Sequence, residues 1–130
     1  MNTIVELHDS TVAEIEMRDG TIIVHFQPAY LHRSKGRPGY DAGEGLVQEA
    51  RLIFLHATVS GDIPTFPRDI VDGTFVIGEE WHENSVPVPL ESTESIRLHL
   101  EFDRHKITIT AGGVRLELSG SPRCIEKFNA

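Results

Sequence analysis

The stretch from Ile96 to Leu118, IRLHLEFDRHKITITAGGVRLEL, decides the fold class of this chain. Apolar and polar residues alternate in three successive runs, and this period of two is typical of a β-strand with one buried face. Two short interruptions, Arg104-His105 and Gly112-Gly113, separate the runs. Glycine readily adopts the positive φ angles that a two-residue hairpin turn requires. We therefore predict three antiparallel strands joined by two tight turns.

The predicted register places every apolar residue of these strands on one face. The turn at Arg104-His105 pairs Phe102 with Ile107 and Leu100 with Ile109. The turn at Gly112-Gly113 gives three further pairs, Ala111 with Val114, Ile109 with Leu116, and Ile107 with Leu118. Because a slip of one residue moves each side chain to the opposite face, the agreement of register and pattern supports the prediction.

The remainder of the chain also favours strands. Asp19-Gly20 separates two further alternating runs and predicts a hairpin, with Met17 opposite Ile22, Ile15 opposite Val24, and Ala13 opposite Phe26. Residues 46–59 begin with good helix formers, but the alternation and the many β-branched and aromatic residues that follow favour a strand over a helix. We predict a single all-β domain over residues 1–130, an antiparallel barrel or a two-sheet sandwich of roughly eight strands.

Composition narrows the function classes. The net charge of -8 argues against nucleic acids and anionic membranes as ligands, and it favours a basic protein partner. Cys124 is the only cysteine, so no internal disulfide forms, and a reducing compartment is expected. The first ten residues are charged where a signal peptide is apolar, and no run approaches the roughly 20 apolar residues of a membrane span. These features predict a cytoplasmic protein.

The sequence Glu6-Leu7-His8-Asp9-Ser10 contains the residue types of a hydrolase triad. Three consecutive residues near a strand end point to alternate sides, whereas triad side chains must converge, so we predict a structural corner. This stretch, followed by an alternating strand, resembles the opening of small uncharacterised bacterial β-proteins. Some groups related to those proteins are immunity-like and are encoded beside polymorphic toxins. The resemblance implies a protein-binding role and transfers no catalytic residue.

Residues 28–45 are predicted to form the longest irregular segment. Within it, three cations lie close together in an otherwise acidic chain and are flanked by rings; these candidate contact residues are Tyr30, His32, Arg33, Lys35, Arg37 and Tyr40. No Gly-Lys-Ser/Thr follows, so the segment is not a phosphate-binding P-loop. Two interpretations stay open: a solvated, flexible connection, or a contact loop for a partner or a small anion.

The other candidates are Trp81 and His82. His82-Glu83 begins like a zinc-protease H-E-x-x-H motif, but Val86 occupies the last position and Pro87 follows it where a helix is required. Trp81 is predicted to pack in the core, with a place at a pocket wall as the alternative, and Cys124 is predicted to be a buried structural cysteine. The seven histidines have no ligand spacing, so we predict no metal site, no cofactor and no catalytic residue.

Two hypotheses about function follow. The first is a non-enzymatic protein-binding domain, an immunity-like protein that neutralises a toxin. The alternative is a small-ligand barrel or a small enzyme whose site combines the 30–45 segment with Trp81 and His82. A deep cavity containing several of His32, Tyr40, Trp81 and His82 favours the alternative, whereas a filled interior favours the binding domain.

Overall fold

The computed structural model describes residues 1–129 and folds them into thirteen strands with no helix. The strands are β1 (Asn2–Glu6), β2 (Thr11–Arg18), β3 (Thr21–Ser34), β4 (Gly43–Leu55), β5 (Thr58–Gly61), β6 (Arg68–Asp69), β7 (Asp72–Ile77), β8 (Glu80–Glu83), β9 (Ser85–Val88), β10 (Glu91–Ser92), β11 (Ile96–Phe102), β12 (His105–Ala111) and β13 (Gly113–Phe128). The predicted all-β class is confirmed. The predicted number of strands was too small, because several of the connections contain short strands of two to four residues.

The strands form two antiparallel sheets that pack as a sandwich. The larger sheet has eight strands, with β10-β13-β4-β3-β1-β9 in order, β2 paired to β3, and β6 paired to β2. The smaller sheet has five strands in the order β5-β12-β11-β7-β8. Over residues 1–129 these sheets stay separate and do not close into a barrel, so the sandwich is the correct one of the two predicted architectures. Those residues include no helix suited to crossing a bilayer.

Strands β11 and β12 pair as predicted, but with a different turn. The pairs are Phe102 with His105, Leu100 with Ile107, and Leu98 with Ile109. The turn therefore lies at Asp103-Arg104, and Arg104 has a φ of 67°. The predicted register was wrong by two residues, a shift that keeps each side chain on its predicted face. The apolar face is buried as expected, since Leu98, Leu100 and Ile109 have no exposed surface.

The predicted hairpin at Gly112-Gly113 is wrong. Strand β13 does not return along β12 but pairs with β4 in the other sheet, with Val114 opposite Phe54 and Leu116 opposite Leu52. The backbone N–H of Gly112 donates to the carbonyl of Leu55 at 2.9 Å, which fixes the point where the chain crosses between sheets. Alternation specifies the face of a strand but not its neighbour. Of the three apolar residues that the predicted hairpin buries, Val114 is buried, Leu116 is partly buried and Leu118 is exposed.

The predicted irregular segment 28–45 is mostly strand. Strand β3 continues to Ser34 and β4 begins at Gly43, so only residues 35–42 connect them. Pro28 occupies the register shift between Phe26 and Ala29, a place where a residue without an N–H group is tolerated. The strand predicted within residues 46–59 is confirmed as β4, which leaves the larger sheet at His56 and continues as β5 in the smaller one.

The first hairpin is confirmed near its turn and differs farther from it. Met17 lies opposite Ile22 and Ile15 opposite Val24, as predicted. Beyond a bulge, Val12 and not Ala13 lies opposite Phe26. The extra residue of a bulge has no signature in an alternating sequence.

The core between the sheets is filled by large apolar side chains. Phe26, Phe54 and Phe75 are the largest fully buried side chains, and each is exposed by 1% or less. Together with the aliphatic residues of both sheets, they form one buried cluster. The clefts described next therefore lie on the outside of the sandwich.

Candidate functional site

The Tyr40 loop, defined here as residues 35–42, and strand β8 enclose an open cleft of about 620 Å³. Its walls are Ile4 and Glu6 of β1, residues 37–40 of the loop, and residues 81–85 of β8 and β9. Two aromatic side chains line it, Tyr40 and Trp81. They are 74% and 64% exposed. We call this surface the aromatic cleft.

The exposure of Trp81 contradicts its predicted place in the core. Trp81 lies on the edge strand β8, opposite Val76 of β7. Arg97 of β11 also lies opposite Val76, and its guanidinium carbon is 5.5 Å from the centre of the Trp81 ring. A cation–π contact of this kind holds an aromatic ring on the outer face of a sheet. Trp81 therefore lies at a pocket wall, which was the alternative position predicted for it.

The Tyr40 loop is held by contacts at several points. The backbone N–H of Gly39 donates to Nδ1 of His32 at 2.6 Å. The Asp41 carboxylate accepts the backbone N–H of Arg37, whose guanidinium carbon lies 3.9 Å from the centre of the Tyr40 ring. These contacts give Tyr40 a defined position at the rim of the cleft.

The three predicted cations do not form one cluster. Arg33 belongs to β3 and bonds Glu44 of β4 at 3.0 Å. Arg37 stacks on Tyr40 in the loop, as described above. Lys35 is exposed and makes no ion pair with the described part of the chain. With one cation paired to a carboxylate and another stacked on a ring, the segment has no concentrated positive charge for an anion.

A second cleft, of about 380 Å³, lies beside the first and shares Glu6, Gly39 and Tyr40 with it. Four carboxylates line it, and no lysine or arginine does; they are Glu6, Asp9, Asp41 and Glu126. We call this surface the acidic cleft. Tyr40 thus stands at the boundary between an aromatic and an acidic surface.

Tyr30 and His32 form the buried side of the acidic cleft and are not loop residues. The Tyr30 hydroxyl donates to Oε1 of Glu126 at 2.6 Å. The His32 side chain is only 6% exposed, and Nδ1 lies 3.5 Å from Oε1 of Glu6. The ring centre of His32 is 4.9 Å from that of Phe128. Strand β13 therefore covers these two residues of β3.

The acidic cleft shifts the titration of its own groups. Burial, followed by hydrogen bonding to Asp9 and repulsion from it, raises the pKa of Glu6, and His32 opposes this shift. Burial and the bond to Glu126 raise the pKa of the Tyr30 hydroxyl. Both shifts favour the protonated form, as expected first for acidic groups that burial removes from water and then for acidic groups with other carboxylates nearby.

The His8-Asp9-Ser10 sequence forms the predicted structural corner. The Ser10 hydroxyl donates to the carbonyl of Glu6 at 2.7 Å and accepts the backbone N–H of Tyr30 at 2.9 Å. Ser10 is buried, whereas His8 and Asp9 are exposed and contact each other at 3.2 Å. The hydroxyl is thus used in joining β1 to β3 and is not presented to a substrate.

The hydrogen-bonded histidines within residues 1–129 contact carboxylates, a backbone N–H group or, at His99, the Thr108 hydroxyl. In the same residues no three His, Cys, Asp or Glu side chains are grouped to hold a metal ion. His82 lies near a carboxylate, with Nε2 at 3.6 Å from Oε2 of Glu80. Cys124 is exposed, which contradicts the predicted buried position, because the end of β13 lies at the sheet surface.

Sequence reasoning did not identify the carboxylates of the two clefts. Glu6 lies in the corner motif, but the residue types of a hydrolase triad in that motif are the three residues after Leu7. Glu126 is separated from Tyr30 by 96 positions along the chain. No local pattern signals a contact over that separation.

The comparisons with known proteins give one informative match. The bifunctional NAD(P)H-hydrate repair enzyme Nnr of Corynebacterium glutamicum is 29% identical over 133 aligned residues, which cover 93% of this chain. The chain spans only 22% of the length of that relative. No family model and no solved structure matches the chain.

Proposed function

We propose that this chain is a non-enzymatic protein-binding domain that contacts its partner through the aromatic cleft. The observation that carries this proposal is the exposure of Tyr40 and Trp81 on one cleft, with Arg37 beside them. Tryptophan, tyrosine and arginine are the residues most enriched among those that dominate the energy of protein interfaces. Their surface clustering supports a contact surface better than a folding role.

The shape of the cleft supports a macromolecular ligand. Small-molecule sites are usually enclosed and mostly apolar, so that they bury most of the ligand surface. The aromatic cleft is open and is lined mainly by polar groups, including Glu6, His82, Glu83 and Asn84. The interior of the sandwich is filled, which leaves no room for a ligand between the sheets.

The alternative is a small-ligand site or a small enzyme built on the same surface. One observation favours it: Tyr40, Trp81 and His82 line one cleft, as that hypothesis requires. Against an enzyme stands the placement of the one histidine–hydroxyl pair among residues 1–129: His99 contacts Thr108 at 3.0 Å, and neither residue lines the aromatic cleft.

The finer assignment that we propose is an immunity-like protein of a bacterial cytoplasm, with a basic toxin as its partner. The net charge of -8 supports it, as does the resemblance of residues 6–10 to small uncharacterised bacterial proteins, some related groups of which are immunity-like. Electrostatic attraction between an acidic protein and a basic partner accelerates their association.

Capture of partners on immobilised protein tests the proposal. We expect a protein retained by the wild type to be lost from the Tyr40→Ala/Trp81→Ala variant, because truncation removes both exposed rings. The matched control is Met17→Ala/Val71→Ala, which removes two exposed apolar side chains outside the cleft and should retain the same protein. Equal retention by all three forms would contradict the assigned surface.

A further inference from the structure

We propose that the aromatic cleft receives an arginine side chain from a basic segment of the partner. This inference rests on the proposed function and specifies what the cleft recognises. It follows from the way in which the two exposed rings already interact within the molecule, and from the charges that line the same cleft.

Both exposed rings already contact a guanidinium group of this chain. Arg37 lies 3.9 Å from the centre of the Tyr40 ring, and Arg97 lies 5.5 Å from the centre of the Trp81 ring. The negative potential above an aromatic ring attracts a cation at such distances. Despite these contacts, most of the surface of each side chain stays exposed and lines the cleft. A guanidinium from outside therefore finds ring surface available on both walls.

The two carboxylates of the cleft, Glu6 and Glu83, complement the same group and outnumber its one arginine, Arg37, which is stacked on Tyr40. Glu83 is exposed, lines the cleft beside Trp81, and forms no ion pair with any residue of the described chain. Glu6 lies in the opposite wall, on β1. Carboxylates accept two parallel hydrogen bonds from arginine, a geometry that an ammonium group cannot match. Glu83 is the carboxylate assigned to pair with the incoming guanidinium.

The adjoining acidic cleft extends this complementarity beyond a single side chain. Its carboxylates lie directly behind Tyr40, with no lysine or arginine among the residues that line it. A segment that places one arginine between Tyr40 and Trp81 thus brings its neighbouring residues toward further negative charge. Further positive charge in the same segment is therefore favoured over negative charge.

The fluorescence of Trp81 tests the inference directly, because Trp81 is the only tryptophan of the chain. The probe is the peptide acetyl-Gly-Arg-Gly-Arg-Gly-amide, titrated at low ionic strength. We expect a saturable change of fluorescence, weaker binding of the lysine analogue, and no saturable change with the glutamate analogue. Glu83→Gln and Tyr40→Ala should each weaken binding of the arginine peptide by about fivefold, the scale of one exposed cation–π or charge contact.

Glu49→Gln is the matched control, since it removes one exposed carboxylate from β4, outside both clefts, and leaves the same net charge as Glu83→Gln. It should change peptide binding by less than about twofold. An equal loss in both glutamine variants, or no saturable signal with the wild type, would overturn the inference. Capture that depends on Tyr40 and Trp81 without arginine-peptide binding would leave the proposed function standing and remove this inference alone.

Discussion

The aromatic cleft and the acidic cleft meet at Tyr40, yet their side chains are held in different ways. In the acidic cleft, Tyr30 and His32 are buried and are tied to β13 and to the Tyr40 loop. In the aromatic cleft, Tyr40 and Trp81 are mostly exposed and are held by cation–π contacts with arginines. The comparison indicates that the acidic cleft supports the structure, whereas the aromatic cleft leaves exposed the two rings that we propose contact a partner.

The largest effect is expected from His32. His32→Ala removes a buried ring and the acceptor of the Gly39 N–H, and it should lower the free energy of unfolding by about 2–4 kcal/mol. His82→Ala, in the aromatic cleft, should cost less than about 1 kcal/mol because this side chain is partly exposed. Urea denaturation of both variants measures the difference. Equal losses of the free energy of unfolding in the two variants would show that the two clefts do not differ in their contribution to stability.

A smaller loss is expected from Tyr30→Phe. The change removes the hydroxyl bonded to Glu126 and should cost about 1–2 kcal/mol, in the range for a hydrogen bond to a charged group that is partly exposed. Tyr40→Phe removes the corresponding hydroxyl at the rim and should cost less than about 0.5 kcal/mol. Thermal or chemical unfolding of the two variants compares the loss of one hydroxyl group in each cleft. A larger loss of stability in Tyr40→Phe would contradict the structural role of the acidic cleft.

The pH dependence of stability sharpens the comparison further. The pKa of Glu6 is raised above its ordinary value of 4.5, so the folded protein keeps a proton that the unfolded chain releases just above this pH. Stability should therefore fall as the pH rises through that range. Glu6→Gln cannot ionise, so its free energy of unfolding should fall less between pH 4 and pH 7. An unchanged slope would show that Glu6 titrates normally.

Glu117 on β13 provides a control of opposite sign. A hydrogen bond from Arg51 is the main cause that lowers the pKa of Glu117. Its contribution to stability is thus present above the ordinary value and is lost as the pH falls through the lowered one. In Glu117→Gln, the free energy of unfolding should therefore fall less as the pH is lowered. Between pH 4 and pH 7 its pH dependence should not be reduced in the way expected for Glu6→Gln.

The smallest effect on folding is expected in the aromatic cleft itself. Trp81→Ala should lower the free energy of unfolding by less than about 1 kcal/mol, the value of an exposed cation–π contact, while abolishing partner capture in combination with Tyr40→Ala. A loss of stability comparable to that of His32→Ala would reassign Trp81 to a structural role. The decisive measurements are the melting curve of the Trp81→Ala variant and its capture of the partner.

The sequence predicted which faces are buried better than which strands are neighbours. The apolar residues of β11 and β12 lie on the predicted face, because a two-residue error of register preserves it. The Gly112-Gly113 prediction failed because an alternating sequence is compatible both with a hairpin and with a crossing between sheets. Only a contact distant in sequence, such as Gly112 with Leu55, decides between them.

The candidate site could be predicted in part. Tyr40, Trp81, His82 and Arg37 were identified from the sequence and line one cleft. The position of Trp81 was wrong because an aromatic residue on an edge strand has the same local sequence whether it faces the core or solvent. The acidic cleft was missed because it joins β1, β3 and β13, whose proximity is set by the topology of the larger sheet.

The pairing of β13 along β4 has a consequence for protein engineering. This terminal strand meets its neighbour from Gly113–Leu55 to Phe128–Gly43, and it follows a crossing at which the chain leaves the smaller sheet. A break at Gly112 would divide the molecule into a large fragment with an open sheet edge and a detachable strand that fits it. Such a fragment would be a complementation reporter, since a peptide of residues 113–129 would restore the missing strand and, with Glu126 and Phe128, one wall of the acidic cleft.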